Sequence, residues 1–233
     1  MTRAGAFLVV LAAVLLAAGP LGTRATFWTY RVGFILLAAS VLLALVGAGL
    51  SLVGAITTGQ WGLPATAVAI AAAILAFPLT VILSGRGAPA IHEITTDPED
   101  PPQFVAAPPR RATAVNPPQY GGATVAEQQR RAYPDIQPIV LRGDAPHVFQ
   151  RALTVARDLG WDAIDSDAAT GRIEAVDTTF WFGFKDDVVV RIRGTSAGTR
   201  VDARSKSRVG VGDLGANARR VRAFLDAMRA QHE

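Results

Sequence analysis

The chain has 233 residues, of which 50% are hydrophobic and 18% are charged. Residues 1–85 contain three arginines and no acidic residue, whereas residues 86–233 contain 20 basic and 19 acidic residues. Most of the excess positive charge therefore lies in the apolar part, so the high isoelectric point does not indicate a nucleic-acid-binding protein. The absence of cysteine excludes disulfides, thiolate nucleophiles and cysteine-ligated zinc.

Three long apolar stretches occupy the first part of the chain: Ala4–Thr23, Val32–Ile56 and Trp61–Ser84. Each has the roughly 20 residues that a helix needs to cross the hydrocarbon core of a bilayer. No ionisable side chain interrupts them, which argues against an ion or proton pathway. The sequence therefore predicts three transmembrane helices within residues 1–85, in contact with a lipid bilayer. The first stretch also has features of a signal peptide, but Pro20 lies close behind the small residues and we expect an uncleaved helix.

Small residues recur four positions apart in two of these stretches, which places them on one helix face. Such residues let transmembrane helices approach closely. We interpret them as helix-packing faces, directed either to the other helices of this chain, which is the simpler interpretation, or to another membrane protein. The second stretch carries Gly47, Ser51 and Ala55, and the third carries Ala65, Ala69 and Ala73.

Composition and charge also bear on where the protein resides. Two lysines against 21 arginines, with abundant alanine, are typical of a GC-rich bacterial genome, so we expect a multi-pass protein of the bacterial inner membrane. The positive-inside rule favours a cytoplasmic C-terminal domain, because that orientation keeps Arg24, Arg31 and Arg86 inside and only Arg3 outside.

Residues 86–133 have the composition of a linker. Nine prolines between Pro89 and Pro134 interrupt regular structure and favour extended, partly polyproline-like backbone. The acidic residues at positions 93, 97, 99 and 100 predict a solvated acidic face, since their spacing does not fit a calcium loop. Apolar residues such as Ile91 and Phe104 indicate that parts of the linker lie along the folded domain.

Residues 134–233 show the alternation of short apolar patterns that is typical of a compact α+β domain. In chain order the patterns predict a strand over Ile136–Leu141, a helix from Asp144 to Gly160, strands over Trp161–Ser166, Arg172–Thr178, Asp187–Arg193 and Thr199–Lys206, and a helix over Asp213–Gln231. Because short turns join the strands, we expect a mostly antiparallel sheet covered by two helices on one face.

Three segments outside the membrane helices resemble the bacterial domain-of-unknown-function 1499 family. They are IHEITTDPEDPPQF at 91–104, RIEAVDTTFWFGFKDDVVVRI at 172–192 and VDARSKSRVGVGDLGANARRVRAF at 201–224. Relatives of this family include lipoprotein-like and thylakoid-lumen forms, so the resemblance implies a periplasmic C-terminal domain, against the arginine count. Many relatives carry a cysteine-containing motif where this chain has Asp97–Phe104, and the family has no established activity to carry over.

The run Gly210-Val-Gly212-Asp-Leu-Gly215 matches the G-x-G-x-x-G pattern of dinucleotide-binding loops. Such loops follow a parallel strand, whereas the strand that precedes this run belongs to a predicted antiparallel hairpin. We therefore expect the glycines to form a tight turn and Asp213 to cap the last helix.

A cationic run just ahead of that helix is a candidate ligand-binding site. Cations and hydroxyls near a helix N-terminus can bind a phosphate, a carboxylate or a lipid headgroup. We favour a competing interpretation in which these residues form ion pairs on a solvated strand edge, because residues 191–229 net +7 and residues 86–190 net −5. The run consists of Arg204, Ser205, Lys206, Ser207 and Arg208.

Aromatic residues cluster around Gly183 and form the second candidate binding site. In a strand, Phe180, Phe182 and Phe184 would share one face and pack in the core beneath the helices. Trp181, on the other face, would then be left for a ligand, a partner or the membrane surface.

Familiar catalytic patterns are scarce in the sequence. His92, His147 and His232 have neither the spacing of metal ligands nor that of a nucleophilic triad. We therefore expect no catalytic residues, no metal site, no cofactor and no nucleic-acid partner. The sequence predicts a non-catalytic binding or accessory module, with two alternatives: a subunit or assembly factor of a larger membrane complex, or a protein that binds a lipid headgroup or another anionic ligand.

Overall fold

The structure is a computed structural model that describes residues 1–230. Two compact units divide the chain. The first unit consists of Met1–Ser84 together with the short segment Thr179–Gly183, and the second consists of Gly85–Thr178 and the residues from Phe184 onward.

The first unit contains the three expected helices, α1 (Thr2–Arg24), α2 (Tyr30–Thr58) and α3 (Gly62–Ser84). All three are long and apolar enough to cross a membrane, which confirms the prediction of three spanning helices. The charged residues Arg3, Arg24 and Arg31 lie in the terminal turns of α1 and α2, where charge is tolerated near the bilayer surface.

Helices α1 and α2 pack through small residues. Gly47 lies directly against α1, where a Cβ atom on it would be 2.8 Å from the carbonyl oxygen of Gly5. Ser40 donates a hydrogen bond of 2.7 Å to the carbonyl oxygen of Ala12 and so links the same two helices. The predicted packing residues Gly47, Ser51 and Ala55 are all buried within the chain. The predicted face of α3 differs, because its alanines at 65, 69 and 73 are exposed while Ala67 and Ala71 are buried.

The second unit is an open antiparallel sheet with helices, as the sequence predicted. Its strands are β1 (Glu93–Thr95), β2 (Ile139–Leu141), β3 (Asp162–Asp167), β4 (Arg172–Thr178), β5 (Lys185–Thr195) and β6 (Gly198–Ser207), and its helices are α4 (Ala123–Ala132), α5 (Ala145–Asp158) and α6 (Ala216–Ala230). The strand order is β1-β6-β5-β4-β3, and β2 also pairs with β6. The predicted end of the last helix, at Gln231, and His232 lie outside the described residues.

The apolar core lies between the sheet and helices α5 and α6. Alternate residues of β5 and β6, such as Val188, Val190 and Val201, contribute to it, and the Trp161 ring stacks on Phe224 with 5.3 Å between the ring centroids. Asp144 caps α5 as expected, because its carboxylate accepts a hydrogen bond from the backbone N–H of His147.

The prediction that residues 86–133 form a linker is wrong, since these residues belong to the folded unit. Part of this stretch forms the edge strand β1, another part forms α4, and Ile91 and Ile94 lie in the core. Residues 96–121, which we call the closing segment, run over the sheet face opposite α5 and α6, where Phe104 and Ala107 pack on Val189. The prolines of this segment limit its regular structure to one short 3-10 turn, Pro108–Arg110, but they do not prevent an irregular backbone from packing.

Candidate functional site

The five residues of the cationic run lie on β6 or just after it, and they do not converge on one site. Ser205 and Ser207 face α6, where both hydroxyls bond to Asn217. Arg204, Lys206 and Arg208 point to the opposite face of the sheet, beneath the closing segment, because side chains alternate along a strand.

Arg204 and Lys206 share one buried carboxylate, that of Glu93 on the neighbouring strand β1. The Arg204 Nη2 atom lies 3.0 Å from Glu93 Oε2, and the Lys206 Nζ atom lies 3.0 Å from Glu93 Oε1. All three side chains are almost completely removed from solvent. Burial lowers the pKa of both Arg204 and Lys206, and the Glu93 carboxylate acts in the opposite direction.

The closing segment completes the coordination of these two cations with backbone carbonyl groups. Arg204 donates to the carbonyl oxygens of Pro102 at 3.1 Å and Pro118 at 2.8 Å, and Lys206 donates to that of Gln119 at 2.6 Å. The Arg204 guanidinium also stacks between Phe104 and Tyr120, with its carbon 4.8 Å and 5.5 Å from the two ring centroids. Burial raises the pKa of Tyr120 to about 12.

A second buried carboxylate, that of Asp187 on β5, pairs with Arg208 and Arg111 on the same face. Arg208 donates to its two oxygens at 2.7 and 3.0 Å, and Arg111 of the closing segment bonds to it from the other side. Burial lowers the pKa of Arg111, and Asp187 opposes that shift. Towards the open end of the face, Asp202 pairs with Arg191 and Arg200.

The sheet face is therefore a layer of ion pairs covered by the closing segment, and we call it the buried charge layer. Ion pairing was our favoured interpretation of the cationic run, but the expected solvated strand edge is wrong because the closing segment excludes water. The predicted solvated acidic face is also wrong for Glu93, which is buried, and for Asp97, which pairs with Arg191 and Arg200.

A further polar cluster lies between the sheet and α6 and was not foreseen from the sequence. Its centre is Arg220, which donates to Asp177 at 2.6 Å and to Asp186 at 2.7 Å on neighbouring strands. Asn217 and Ser205 complete it, with Asn217 Oδ1 accepting from both Ser205 and Arg220. Burial raises the pKa of Asp186. Because these residues are distant in sequence, no spacing pattern indicated the cluster.

The G-x-G-x-x-G run forms a turn that its own aspartate closes. The Asp213 carboxylate accepts hydrogen bonds from the backbone N–H groups of Gly215 at 2.7 Å and Asn217 at 2.9 Å. The strand before it, β6, is antiparallel to both of its main neighbours. Asp213 therefore occupies N–H groups that a dinucleotide phosphate would need.

The aromatic residues around Gly183 do not lie in a strand, so the expected core packing beneath the helices is wrong. They form the loop between β4 and β5, and residues 179–183 belong to the first unit. The Phe182 ring lies 4.9 Å from that of Phe34 on α2, and the Trp181 ring lies 5.2 Å from that of Phe77 on α3. Residues 179–183 of this loop therefore pack against the helices of the first unit.

The histidines lie apart within residues 1–230. His92 has its Nδ1 atom 3.3 Å from the carbonyl oxygen of Val211, and His147 lies in the first turn of α5. No three histidine, aspartate or glutamate residues come together in the described chain in an arrangement that would hold a metal ion.

Comparison with known proteins identifies the second unit. A family model with the description "Protein of unknown function (DUF1499)" matches residues 93–228, which include β1, the closing segment, α5 and most of α6. Comparison with curated proteins gives no match. The matched range starts at the first strand of the sheet, in agreement with the finding that the proline-rich stretch is part of the domain. The chain thus belongs to the DUF1499 family and joins a domain of this family to three helices that can span a membrane.

Proposed function

We propose that this protein is a non-catalytic accessory protein of the bacterial inner membrane, and that its loop Thr179–Gly183 acts at the membrane surface. The observation that carries the proposal is the exposure of two large rings within the unit that contains the spanning helices. Phe180 is 76% exposed and Trp181 is 49% exposed. Exposed aromatic rings next to transmembrane helices are typical of the headgroup region.

The backbone of this loop is held firmly, so its rings have a fixed position. Arg24, in the last turn of α1, donates through Nη1 to the carbonyl oxygens of Thr179 at 2.9 Å and Phe180 at 2.7 Å. A fixed loop presents its rings at a lower entropic cost than a flexible one.

The non-catalytic part of the proposal is supported by the buried charged side chains, which are paired with one another. The buried charge layer engages its carboxylates and cations with one another, and the cluster around Arg220 does the same beneath α6. Groups that are paired and enclosed in this way are out of reach of a substrate. We accordingly propose that the protein needs no cofactor and has no nucleic-acid partner.

We propose a periplasmic location for the DUF1499 domain. Support comes from family relatives of the lipoprotein-like and thylakoid-lumen kind, which are extracytoplasmic. The arginines that flank the helices favour the opposite side by three to one, so the proposal depends on the family resemblance.

Single cysteines test the loop and the side together, because the chain has no cysteine of its own. Phe180→Cys should carry an environment-sensitive fluorophore into the bilayer interface of reconstituted vesicles, and its emission should be quenched by brominated lipid. Ser196→Cys, in the exposed turn between β5 and β6, is the matched control and should not be quenched. In intact spheroplasts, a membrane-impermeant maleimide should label Ser196→Cys without lysis.

Equal quenching at both positions, or none at Phe180→Cys, would contradict the surface function of the loop. Labelling of Ser196→Cys only after lysis would place the domain in the cytoplasm and reject the periplasmic part of the proposal.

A second candidate function is that of a subunit in a larger membrane complex. It is favoured by α3, whose alanines at 65, 69 and 73 leave a flat exposed strip on a helix that otherwise exposes large aliphatic side chains. Native mass spectrometry of the full chain extracted in mild detergent should then show a stoichiometric protein partner, and Ala69→Leu should release it. A wild-type protein without any protein partner would reject this candidate.

A further inference from the structure

A hollow lies at the end of α1, on the loop that leads to α2. Its volume is about 640 Å³. All of its walls belong to the first unit, and all but one of the lining residues are apolar. The lining residues are Ala18, Leu21, Gly22, Arg24, Ala25, Phe27 and Trp28.

The hollow exists because of how α1 ends. The N–H of Thr26 bonds to the carbonyl of Thr23 at 3.1 Å, the N–H of Phe27 bonds to that of Gly22 at 2.9 Å, and Thr26 has a φ of 62°. These are the two bonds of a Schellman motif, in which the apolar side chains at the positions of Phe27 and Gly22 normally touch. Glycine has no side chain to offer, so Phe27 remains 80% exposed.

Trp28 forms the floor of the hollow and makes Gly22 obligatory. A Cβ atom on Gly22 would lie 2.1 Å from the Trp28 ring, which shows how closely the ring covers this position. The indole N–H donates to the carbonyl oxygen of Gly19 at 3.2 Å and fixes the ring in place. The shape of the hollow is thus set by backbone and a rigid ring.

Arg24 supplies the charge at the mouth of the hollow. A guanidinium has five N–H donors in a planar fork, and the two bonds from Nη1 to the loop carbonyls engage one end of that fork. The fork geometry matches phosphate oxygens. Residues 1–85 contain no acidic side chain, so the local potential favours an anion.

We propose that this hollow binds one anionic phospholipid, with its phosphate on Arg24 and an acyl chain along Leu21 and Phe27. Its position at the end of a membrane-spanning helix is the depth at which a phosphate and the first carbons of an acyl chain lie. An apolar wall with one cation at its rim complements such a molecule at both ends. The proposal does not depend on the loop function above, because a lipid can occupy the hollow whether or not Phe180 enters the bilayer.

The test is native mass spectrometry of the full chain in nanodiscs that contain phosphatidylglycerol and phosphatidylcholine in equal amounts. The wild type should keep one phosphatidylglycerol at collision energies that remove all other lipids. Arg24→Gln should lower that retained fraction by about tenfold, the loss that corresponds to one charge-assisted hydrogen bond. Arg31→Gln is the matched control, since it removes the same charge from an exposed residue at the same end of the helices and should retain the lipid.

Ala18→Phe provides an independent variant, because it fills the hollow and leaves Arg24 and its bonds in place. It should also lose the retained lipid. Equal retention of phosphatidylcholine and phosphatidylglycerol by the wild type would mean bulk boundary lipid only and would overturn the proposal. Unchanged retention in Ala18→Phe would equally overturn it.

Discussion

The change Glu93→Gln is expected to lower the free energy of unfolding of the DUF1499 domain by about 3–5 kcal/mol, the cost of leaving buried charge uncompensated. Glu93 is fully buried and accepts hydrogen bonds from Arg204, Lys206 and the backbone N–H of Gly121. Glutamine keeps the size of the side chain but removes its charge. Two cations would then face each other beneath the closing segment.

Pulse proteolysis of the full-length protein in detergent, across a series of urea concentrations, would measure this effect through cleavage within the domain. Glu99→Gln is the control, because Glu99 pairs with Arg130 on the surface and both side chains are more than half exposed. Loss of this surface ion pair should lower the free energy of unfolding by about 0–1 kcal/mol. Unfolding of the two variants at the same urea concentration would contradict the prediction. It would show that the ion pairs of Glu93 do not stabilise the packing of the closing segment on the sheet.

The second large effect is expected in the first unit, from Gly47→Leu. A Cβ atom at this position would lie 2.8 Å from both the Gly5 carbonyl oxygen and a methyl carbon of Val9, so α1 and α2 must move apart. Forcing extra volume into a packed interface costs about 1–3 kcal/mol. The Gly5 carbonyl belongs to the backbone of α1, so it cannot move aside as the end of a flexible side chain could.

The full chain would be titrated with a denaturing detergent, and the loss of contact between α1 and α2 would be monitored. The midpoint of that transition would report the change in stability. Gly49→Leu is a matched control on the same helix, because a Cβ atom at Gly49 meets no atom within 4 Å. Both variants gain the same helix propensity, so the difference between them isolates the packing term. Equal transition midpoints would show that α1 does not pack on this face of α2 in the membrane.

The ion pairs of the second unit explain why a charged sequence can fold on a sheet face that has only a small apolar cluster. The partners lie far apart in the chain, as with Glu93 on β1 and Arg204 on β6. In the pair of Arg111 with Asp187, one partner comes from the irregular closing segment. Carbonyl groups of prolines, which accept hydrogen bonds although proline donates none, complete the shell around the cations. Proline in the closing segment is therefore compatible with a buried position.

Local patterns in the sequence determined the three spanning helices and the strands and helices after residue 133, but not β1 and α4, which lie in the proline-rich stretch. Long uninterrupted apolar runs predict spanning helices, because only such runs satisfy the bilayer. Alternation along β5 and β6 and the short turns between strands predict the antiparallel sheet, and Asp144 marks the start of α5. Each of these depends on residues that are close in the chain, so one sequence is sufficient to find them.

Only the tertiary structure decided where the charged and aromatic residues lie. Arg204 and Lys206 have the alternation of a solvated strand, and nothing near them in sequence shows that a distant segment covers them. The rings of Phe180 and Phe182 have the alternation of a buried strand face, yet Gly183, with a φ of 66°, lies in a loop that packs on Arg24 of α1. Whether a residue is buried depends on which distant segments pack on it, and no local sequence pattern encodes those long-range contacts.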